Sequence, residues 1–425
     1  MVTVYNYTAL VCAVLLAILG LLLLLDRNPA PRGWGGRLSR ALERRRRSSA
    51  WSWVDWRVLT AVIAIGYGLV VAWDVTTGLY TCTLGKTSDP IALWKSGVAF
   101  WDRGNPFSVA DCGTTTLVPY GLAAVLIDAV GSLGGVVGVV AAWGVLAVAL
   151  VPLTWFAAGA DRRYVTLFVV LLPIYFPLVS VQIDGASNSI LPVAVLVTIV
   201  LGSRAPRLAE FVGGLLATAR FPTVLPLVAS RGPERRPLVG GLVVVGTFAA
   251  GTGVAYAVWG PTFYHDVFGT QISRRSFSLN AYGPFLDHGT LPTGLAIIAV
   301  EGALVLAITA AAFFGVRSRL RAAGLALVGY AIVTPFLSFS ILLSLVPLAL
   351  LGHRTRWWLW LVATVGALNY DYALNLLAWN GGSSVLSEAL DLVLTGALIG
   401  LFLELWNHRA EELPDAGSPG SIPSA

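Results

Sequence analysis

Stretches of about twenty apolar residues recur along almost the whole of this chain. A helix needs about that length to cross the hydrocarbon core of a bilayer, where every backbone polar group has to be satisfied within the segment. The 425 residues are 56% hydrophobic and 12% charged, and their mean hydropathy is +0.77. Soluble domains of ordinary composition carry about 25% charged residues. The sequence therefore predicts an all-α, polytopic membrane helical bundle with no sizeable soluble domain.

The net charge of +6 comes from basic residues in short segments between the apolar stretches. Positive charge in such segments is expected on the cytoplasmic side of a membrane protein, so it gives no support to nucleic-acid binding. Only Lys86 and Lys95 are lysines among the 28 basic residues, which is typical of a GC-rich prokaryotic genome. We expect a multi-pass protein of the plasma membrane, surrounded by membrane lipids.

The basic segments orient the chain when each is assigned to the cytoplasm. Residues 1–57 then comprise an extra N-terminal transmembrane helix, with the N-terminus outside, and a cytoplasmic loop that contains the run Arg44–Arg47. Residues 58–406 form the main bundle, and residues 407–425 form a disordered cytoplasmic tail. The other segments assigned to the cytoplasm are Arg162-Arg163, Arg204 with Arg207, Arg231 with Arg235 and Arg236, Arg317 with Arg319 and Arg321, His353–Arg356, and His408-Arg409.

This orientation requires some helices to turn back before they cross. Residues 208–230 and 322–352 would each form a hairpin, broken at Arg220-Phe221-Pro222 and at Thr334-Pro335, because proline ends a helix. Residues 116–130 would form a short outer or re-entrant helix. About thirteen spans result when the short hairpin arms are counted, and irregular backbone at that depth predicts a cavity that opens outward.

Asp89 opens the first segment expected on the outer side, directly before Pro90 and a helix-like apolar pattern. A carboxylate there could remove a proton from an acceptor hydroxyl, or it could only cap the helix, since aspartate is favoured at that position. Gln182 and Asp184, which precede a later span, are candidates to bind sugar hydroxyls or to cap that helix in the same way.

The positions of Arg220, Arg274 and Arg275 on the expected outer side need an explanation, because basic residues are usually enriched on the cytoplasmic side. Arg220 lies in the middle of a hairpin, where an unpaired charge is expensive, and Arg274-Arg275 lies in the last large outer loop. A bound phosphate would supply the reason, although Arg274 and Arg275 could equally meet lipid headgroups. His265 and His288 lie in the same loop and could donate hydrogen bonds to a substrate.

Cys82 and Cys112 flank the Asp89 segment on the expected outer side, where an oxidising compartment permits a disulfide. Two buried free thiols are the alternative. The outer segments contain no Asp-x-Asp pair and no His/Cys cluster with metal-ligand spacing, so we expect no metal and no other cofactor.

Six short motifs in residues 88–228 resemble, in order and spacing, the motifs of one family. The motifs are Asp89, Trp94, Gly104-Asn105-Pro106-Phe107, Val118-Pro119-Tyr120, Val181-Gln182-Ile183-Asp184 and Gly213–Pro222. Together they resemble GT-C superfamily glycosyltransferases, and most closely the bacterial polyprenyl-phosphate-mannose-dependent α-mannosyltransferases. The resemblance covers residues 88–228. The chain departs from the family pattern where Arg220 replaces a lysine, where Phe221 precedes Pro222, and where Val181 replaces a glycine.

The resemblance implies a GT-C-like fold for residues 58–406 and a catalytic site on the outer side of the membrane. Asp89 would be the general base for an acceptor hydroxyl that attacks the anomeric carbon of a polyprenyl-phosphate sugar with inversion. Arg220, Arg274 and Arg275 would stabilise the leaving phosphate, because it gains charge in the transition state. The sugar is mannose by family default, although arabinofuranose or another pentose fits equally, and the acceptor is a glycolipid or a glycan.

Polar residues inside predicted spans favour a different class of function. Glu301, Asn369, Asp371, Glu388 and Asp391 could be the coupling groups of a secondary transporter or a lipid flippase. Such proteins are commonly built from two related halves, and the sequence has no evident internal repeat. A structural membrane protein without activity would account for the apolar bundle but not for the Asp89 segment.

The orientation can be tested by cysteine labelling in a chain whose three native cysteines are replaced by alanine. A cysteine at Asn105 should react with a membrane-impermeant maleimide in intact cells. A cysteine at Arg45 should react only after the membrane is opened, because that loop is assigned to the cytoplasm. The reverse pattern would contradict the proposed orientation.

Overall fold

The computed structural model of the chain describes residues 55–76, 89–111, 114–117, 120–158, 189–202, 204–234, 236–269, 280–282, 295–335, 337, 339–352, 357–371 and 384–411. These residues are mostly helical, as the apolar stretches predict. The helices of the first half are α1 (Trp56–Thr76), α2 (Asp89–Trp101), α3 (Leu122–Ser132), α4 (Gly135–Ala157), α5 (Ile190–Gly202), α6 (Pro206–Ala217) and α7 (Val224–Ala229). Those of the second half are α8 (Pro237–Trp259), α9 (Leu295–Gly315), α10 (Arg319–Val333), α11 (Phe339–Gly352), α12 (Trp357–Asp371) and α13 (Ser384–Asn407).

Four helices of the described part, α1, α4, α8 and α13, are long and apolar enough to cross a membrane. Helices α3 and α5 and most of α9 are apolar but shorter. A membrane helical bundle therefore fits the structure. The count of about thirteen spans stays a prediction, and the expected N-terminal span and both chain ends lie outside the described residues.

The segment after α2 contains a small β-hairpin that the all-α prediction omits. Strand β1 (Ser108–Asp111) pairs antiparallel with strand β2 (Thr114–Leu117), with Ser108 opposite Leu117. Three consecutive threonines form most of β2, and such β-branched residues favour extended backbone. The helix expected over residues 116–130 consequently begins only at Leu122 and runs to Ser132.

Both predicted hairpin breaks are confirmed. Helix α6 ends at Ala217, a 3₁₀ turn covers Phe221–Thr223, and α7 follows with only six residues. The twelve residues of α6 rise about 18 Å, which is too short to cross the hydrocarbon core of a bilayer. The second break separates α10, which ends at Val333, from α11, which begins at Phe339.

Helix α10 lies at the centre of the larger hydrophobic core. Almost all of its residues are buried, and it packs against α7, α9, α11 and α13. Small residues let these neighbours approach closely: the side chain of Ile308 in α9 lies directly against Gly329 of α10. The six-residue helix α7 is enclosed by α8, α9 and α10, so its short length is compatible with its depth.

One end of the bundle holds a charge cluster in which Glu210 and Arg231 are buried. Its members are Arg207, Glu210, Arg231, Glu234 and Arg319. Nη1 of Arg231 lies 2.6 Å from Oε1 of Glu234, and Nη2 of Arg319 lies 3.2 Å from the same oxygen. Nη1 of Arg207 lies 2.7 Å from Oε2 of Glu210, which is itself buried. Burial lowers the pKa of Arg231 to about 10, although Glu234 opposes the shift. Three segments assigned to the cytoplasm therefore meet at one place.

The residues that follow α13 lie at the same end of the bundle, where they contact the start of α10. The backbone amide of Arg317 donates to the carbonyl oxygen of Arg409 over 3.0 Å. The guanidinium of Arg321 donates to the backbone carbonyl oxygens of His408 and Glu411, the second over 2.9 Å. Four of the segments assigned to one side thus share one end of the fold, and the side of the membrane on which they lie stays a prediction.

The predicted helix of the first outer segment is confirmed as α2, which packs tightly onto α3. A Cβ at Gly97 would overlap the carbonyl oxygen of Asp128, so the two backbones touch there. Nε1 of Trp101 donates to the carbonyl oxygen of Ala129 over 2.8 Å. The fully buried Asp128 accepts a hydrogen bond of 2.8 Å from Nε1 of Trp143 in α4. Helices α2, α3 and α4 therefore form one packed unit.

Replacing Gly97 by alanine should destabilise this unit by about 1–3 kcal/mol, because the added methyl group cannot fit against a backbone oxygen. The matched control is Gly246→Ala in α8, where an added Cβ meets no atom within 4 Å and alanine is the better helix former. Thermal unfolding in detergent should show a lower midpoint for the first variant and an unchanged or higher one for the second. Equal midpoints would contradict the close packing of α2 on α3.

Candidate functional site

Helix α2 begins at Asp89, the acid that the sequence singles out. The structure describes the backbone of Asp89 but not the surroundings of its carboxylate. Leu93, one turn into α2, belongs to a buried cluster that also contains Tyr120 and Ala219. Because Ala219 directly precedes Arg220, the first turn of α2 and Arg220 border the same cluster. This cluster is the centre of the candidate site.

Arg220 lies at the break of the α6–α7 hairpin and is held by Tyr120. Its Nη2 donates to the hydroxyl oxygen of Tyr120 over 3.1 Å, and its Cζ lies 4.3 Å from the centroid of the same ring. A cation over an aromatic face is attracted by the negative ring face. Tyr330 of α10 lies within electrostatic range of both Arg220 and Glu301. The expected mid-hairpin arginine is therefore a fixed, half-buried cation.

Backbone contacts between two distant segments fix the position of this cation. The amide of Gly121 donates to the carbonyl oxygen of Ala219 over 3.2 Å, and the amide of Ala123 donates to Oγ1 of Thr218 over 3.0 Å. A Cβ at residue 121 would overlap the carbonyl oxygen of Thr218, so only glycine fits there. The residues on either side of these bonds are Tyr120 and Arg220, which consequently face each other.

A second polar group lies where α10 ends. Asn280 is fully buried, and its Nδ2 donates to the carbonyl oxygens of Ala331 and Thr334 over 3.1 and 2.8 Å. These bonds satisfy carbonyls that the break at Thr334-Pro335 leaves without helical partners. The side chain of Asn280 therefore caps the end of α10.

His265 belongs to an Asn–Asp–His chain of hydrogen bonds that joins two expected outer segments. Nδ2 of Asn105 donates to Oδ2 of Asp266 over 3.2 Å, and Oδ1 of Asp266 lies 3.0 Å from Nδ1 of His265. Asp266 is buried, whereas the imidazole is 83% exposed. The buried carboxylate thus orients an exposed ring that can bind a substrate hydroxyl. His265 and Asp266 lie in a π-helix, Tyr264–Gly269, a form often found at functional sites.

Sequence reasoning did not assign a role to three residues that organise the site. Tyr120 belongs to the Val118-Pro119-Tyr120 motif, but its contact with Arg220 joins two segments that lie 100 positions apart in the chain. Asn280 and Asp266 lie in the last segment expected on the outer side, and the contacts that give them their roles are with residues 51 or more positions away in the chain. A buried amide that caps a helix leaves no local pattern in the sequence, so only the tertiary structure identifies these roles.

Most of the other predicted site residues lie outside the described residues, and their roles stay predictions. They are Cys82, Cys112, Gln182, Asp184, Arg274, Arg275 and His288. Within the described ranges no three His, Cys, Asp or Glu side chains form a group that could hold a metal ion. The expectation that no metal or cofactor is needed stays a prediction as well.

The intramembrane acids of the alternative function are partly described. Asp391 of α13 is buried, and its Oδ1 accepts a hydrogen bond of 2.5 Å from Nδ2 of Asn369 in α12. One turn further along α13, the hydroxyl of Thr395 accepts from the backbone amide of Ala281 over 2.7 Å. These bonds join α12 to α13, and α13 to Ala281. They show that Asn369 and Asp391 contribute to helix packing, and a coupling function is not needed to explain their burial.

Comparison with known proteins found no matching protein-family model and no matching curated protein. The resemblance to GT-C glycosyltransferases therefore rests on the sequence motifs alone and stays a prediction.

The contact between Tyr120 and Arg220 can be tested by two substitutions. Tyr120→Phe removes the hydroxyl acceptor but keeps the ring, so the loss of stability should be about 0.5–1.5 kcal/mol. Tyr120→Leu also removes the ring face under the guanidinium and should cost more. Thermal unfolding midpoints in detergent measure both. Equal losses would mean that the ring face contributes nothing.

Proposed function

We propose that the protein is an inverting membrane glycosyltransferase. It transfers a sugar, mannose by default, from a polyprenyl phosphate to a glycolipid or glycan acceptor on the outer side of the membrane. The observation that carries the proposal is the convergence of two elements on the buried cluster around Tyr120. One is the first turn of α2, which begins with Asp89, and the other is the hairpin break that carries Arg220. A base and a phosphate-binding cation are the two groups that this reaction needs.

Asp89 is proposed as the general base. Asp89 is the first residue of α2, and the N-terminus of a helix favours a negative charge. In the reaction the carboxylate takes the proton of an acceptor hydroxyl as its oxygen bonds to the anomeric carbon. The bond from that carbon to the phosphate oxygen breaks on the opposite face, and the polyprenyl phosphate leaves with the electron pair. The configuration at the anomeric carbon is therefore inverted.

Arg220 is proposed to stabilise the departing phosphate. The phosphate gains negative charge as the glycosidic bond breaks, and a cation that is already fixed in place needs no reorganisation at that moment. Tyr120 holds the guanidinium through its ring face and its hydroxyl, which restricts the orientation of Arg220. Arg274 and Arg275 are proposed to add charge to the same phosphate.

The remaining proposed contacts are with sugar and acceptor hydroxyls. His265 supports such a contact because its ring is exposed while Asp266 and Asn105 fix its orientation. Gln182, Asp184 and His288 are proposed for the same role on the basis of the sequence alone. No metal is proposed for any step, because lipid phosphate can leave with arginine as its counter-charge.

A secondary transporter or lipid flippase is the alternative function. Asp391 and Glu301 would then carry the coupling ion or proton. The contact of Asp391 with Asn369 gives that carboxylate a partner within the packed helices, and a coupling acid has to exchange such a partner during each cycle. The contact with Asn369 therefore favours a structural role for Asp391 over a role in transport.

The test of the proposed reaction uses purified protein in nanodiscs with polyprenyl-phosphate mannose and candidate glycolipid acceptors. Asp89→Asn should reduce sugar transfer by about 10²–10⁴-fold, the usual contribution of a general base. Asp55→Asn is the matched control, because the carboxylate of Asp55 accepts a hydrogen bond from the amide of Arg57 at the start of α1, and asparagine keeps an acceptor oxygen there. Its transfer rate should equal that of the native chain.

Equal transfer by Asp89→Asn and the native chain would remove Asp89 from the base role. Transport of a labelled lipid or solute without any sugar transfer would favour the alternative function. In that case Asp391→Asn should abolish transport, whereas Asp89→Asn should leave it unchanged.

A further inference from the structure

An apolar groove lies beside the last turn of α2. Its volume is about 620 Å³, within the range of roughly 300–1,000 Å³ that is usual for small-molecule sites. Helices α2, α3 and α8 supply its walls, and Arg103 lies at its rim. The apolar lining residues are Phe100, Leu122, Leu126, Val254, Val258 and Trp259.

The groove opens toward the surface that faces lipid. Leu126, Val254 and Val258 are all exposed large apolar side chains on helices expected in or beside the membrane. Val254 and Val258 lie in the last two turns of α8. Gly240 lies in its first turn and contacts the charge cluster. The groove is therefore at the opposite end of α8 from that cluster. An acyl chain can enter it sideways from the bilayer.

Arg103 occupies a backbone position that usually holds glycine. Its φ is +57°, in the left-handed region, and it is the one described non-glycine residue with a positive φ. The amide of Gly104 bonds to the carbonyl of Ala99 over 2.7 Å, and that of Arg103 to the carbonyl of Phe100 over 3.3 Å. This is the bonding pattern of a helix end at which glycine is favoured. A strained non-glycine residue at such a place points to a function for its side chain.

The side chain of Arg103 is exposed, and no acceptor or carboxylate among the described residues pairs with it. The turn that carries it is tied to the groove, because Nε1 of Trp259 donates to the carbonyl oxygen of Gly104 over 3.2 Å. The backbone of Arg103 is thus held in place at the groove, and its exposed guanidinium is available to the headgroup of a bound lipid.

The charge at the rim favours one kind of lipid. Arg103 is the single basic side chain among the described lining residues, and the acidic Asp102 is its neighbour in the chain. A phosphomonoester carries about −1.5 to −2 charges at neutral pH, whereas a phosphodiester carries one. One cation therefore matches a phosphodiester and not a lipid monophosphate.

We propose that this groove binds an anionic phosphodiester phospholipid, with an acyl chain between α3 and α8 and the phosphate on Arg103. The site is separate from Asp89 and Arg220 and does not depend on the transferase reaction. It gives the protein a resident lipid at the end of the bundle that carries the candidate site.

The test measures lipid occupancy and not sugar transfer. Purified full-length protein is photolabelled with phosphatidylglycerol that carries a diazirine in its acyl chain, and the labelled peptides are identified by mass spectrometry. Labelling should map to residues 122–126 and 254–259, and diazirine phosphatidylcholine, which has no net charge, should label them weakly. Arg103→Gly should weaken phosphatidylglycerol labelling by about 10-fold or more, the loss of one charge-assisted contact.

Arg103→Gly is informative because glycine suits the left-handed position, so the thermal unfolding midpoint should stay the same or rise. Arg103→Lys should keep most of the labelling, and Arg204→Gln, which changes an exposed arginine next to the start of α6, should keep all of it. Val254→Phe provides a second test, because it fills the groove while Arg103 remains and should also reduce labelling.

Two results would overturn the proposal. The first is labelling that maps elsewhere, or that stays at the native level in both Arg103→Gly and Val254→Phe. The second is displacement of phosphatidylglycerol by a polyprenyl monophosphate at a lower concentration than by unlabelled phosphatidylglycerol, since the groove would then belong to a monophosphate lipid.

Discussion

A helix that is broken at membrane depth has to find new partners for its backbone, and this need organises the fold around the α6–α7 hairpin. The partners come from the segment that precedes α3, through the bond between Gly121 and Ala219 and the bond between Ala123 and Thr218. The two segments can come this close only because residue 121 is glycine, since a Cβ there would overlap the carbonyl oxygen of Thr218. The same contact sets α3, and therefore α2 which packs on α3, relative to the hairpin. The position of the first turn of α2 with respect to the hairpin break therefore follows from these backbone contacts.

The two ends of the bundle handle charge in different ways. At one end, Arg231 is completely buried and is balanced by Glu234, while Glu210 is balanced by Arg207. A buried charge of this kind costs desolvation energy and persists because its removal would leave its partner buried alone. At the other end, the guanidinium of Arg220 lies against the ring and the hydroxyl of Tyr120, and the side chain of Arg103 is exposed. Charges of the first kind hold helices together, and those of the second kind suit an anionic ligand.

The sequence predicted local features well and contacts between distant segments poorly. Apolar length predicted the helices, and Pro222 and Pro335 predicted the two breaks, because the absence of a proline amide acts within one turn. The β-hairpin was missed because its strands are only four residues long and lie between helical patterns. Arg231 was taken as one of several basic loop residues, since nothing near it in the chain indicates that Arg319 contacts the same carboxylate. The link between Asn105 and Asp266 spans 161 positions and has no local signal.

The charge cluster also has a consequence for how the chain is made. Arg207 and Glu210 are synthesised together, as are Arg231 and Glu234, and each pair lies three residues apart. The charges at the two ends of the broken hairpin can therefore pair as soon as each segment has been synthesised. Arg319 arrives only after α8 and α9 have been synthesised, and it adds one positive charge to a site that already exists. The order of synthesis thus matches the order in which these charges can leave water.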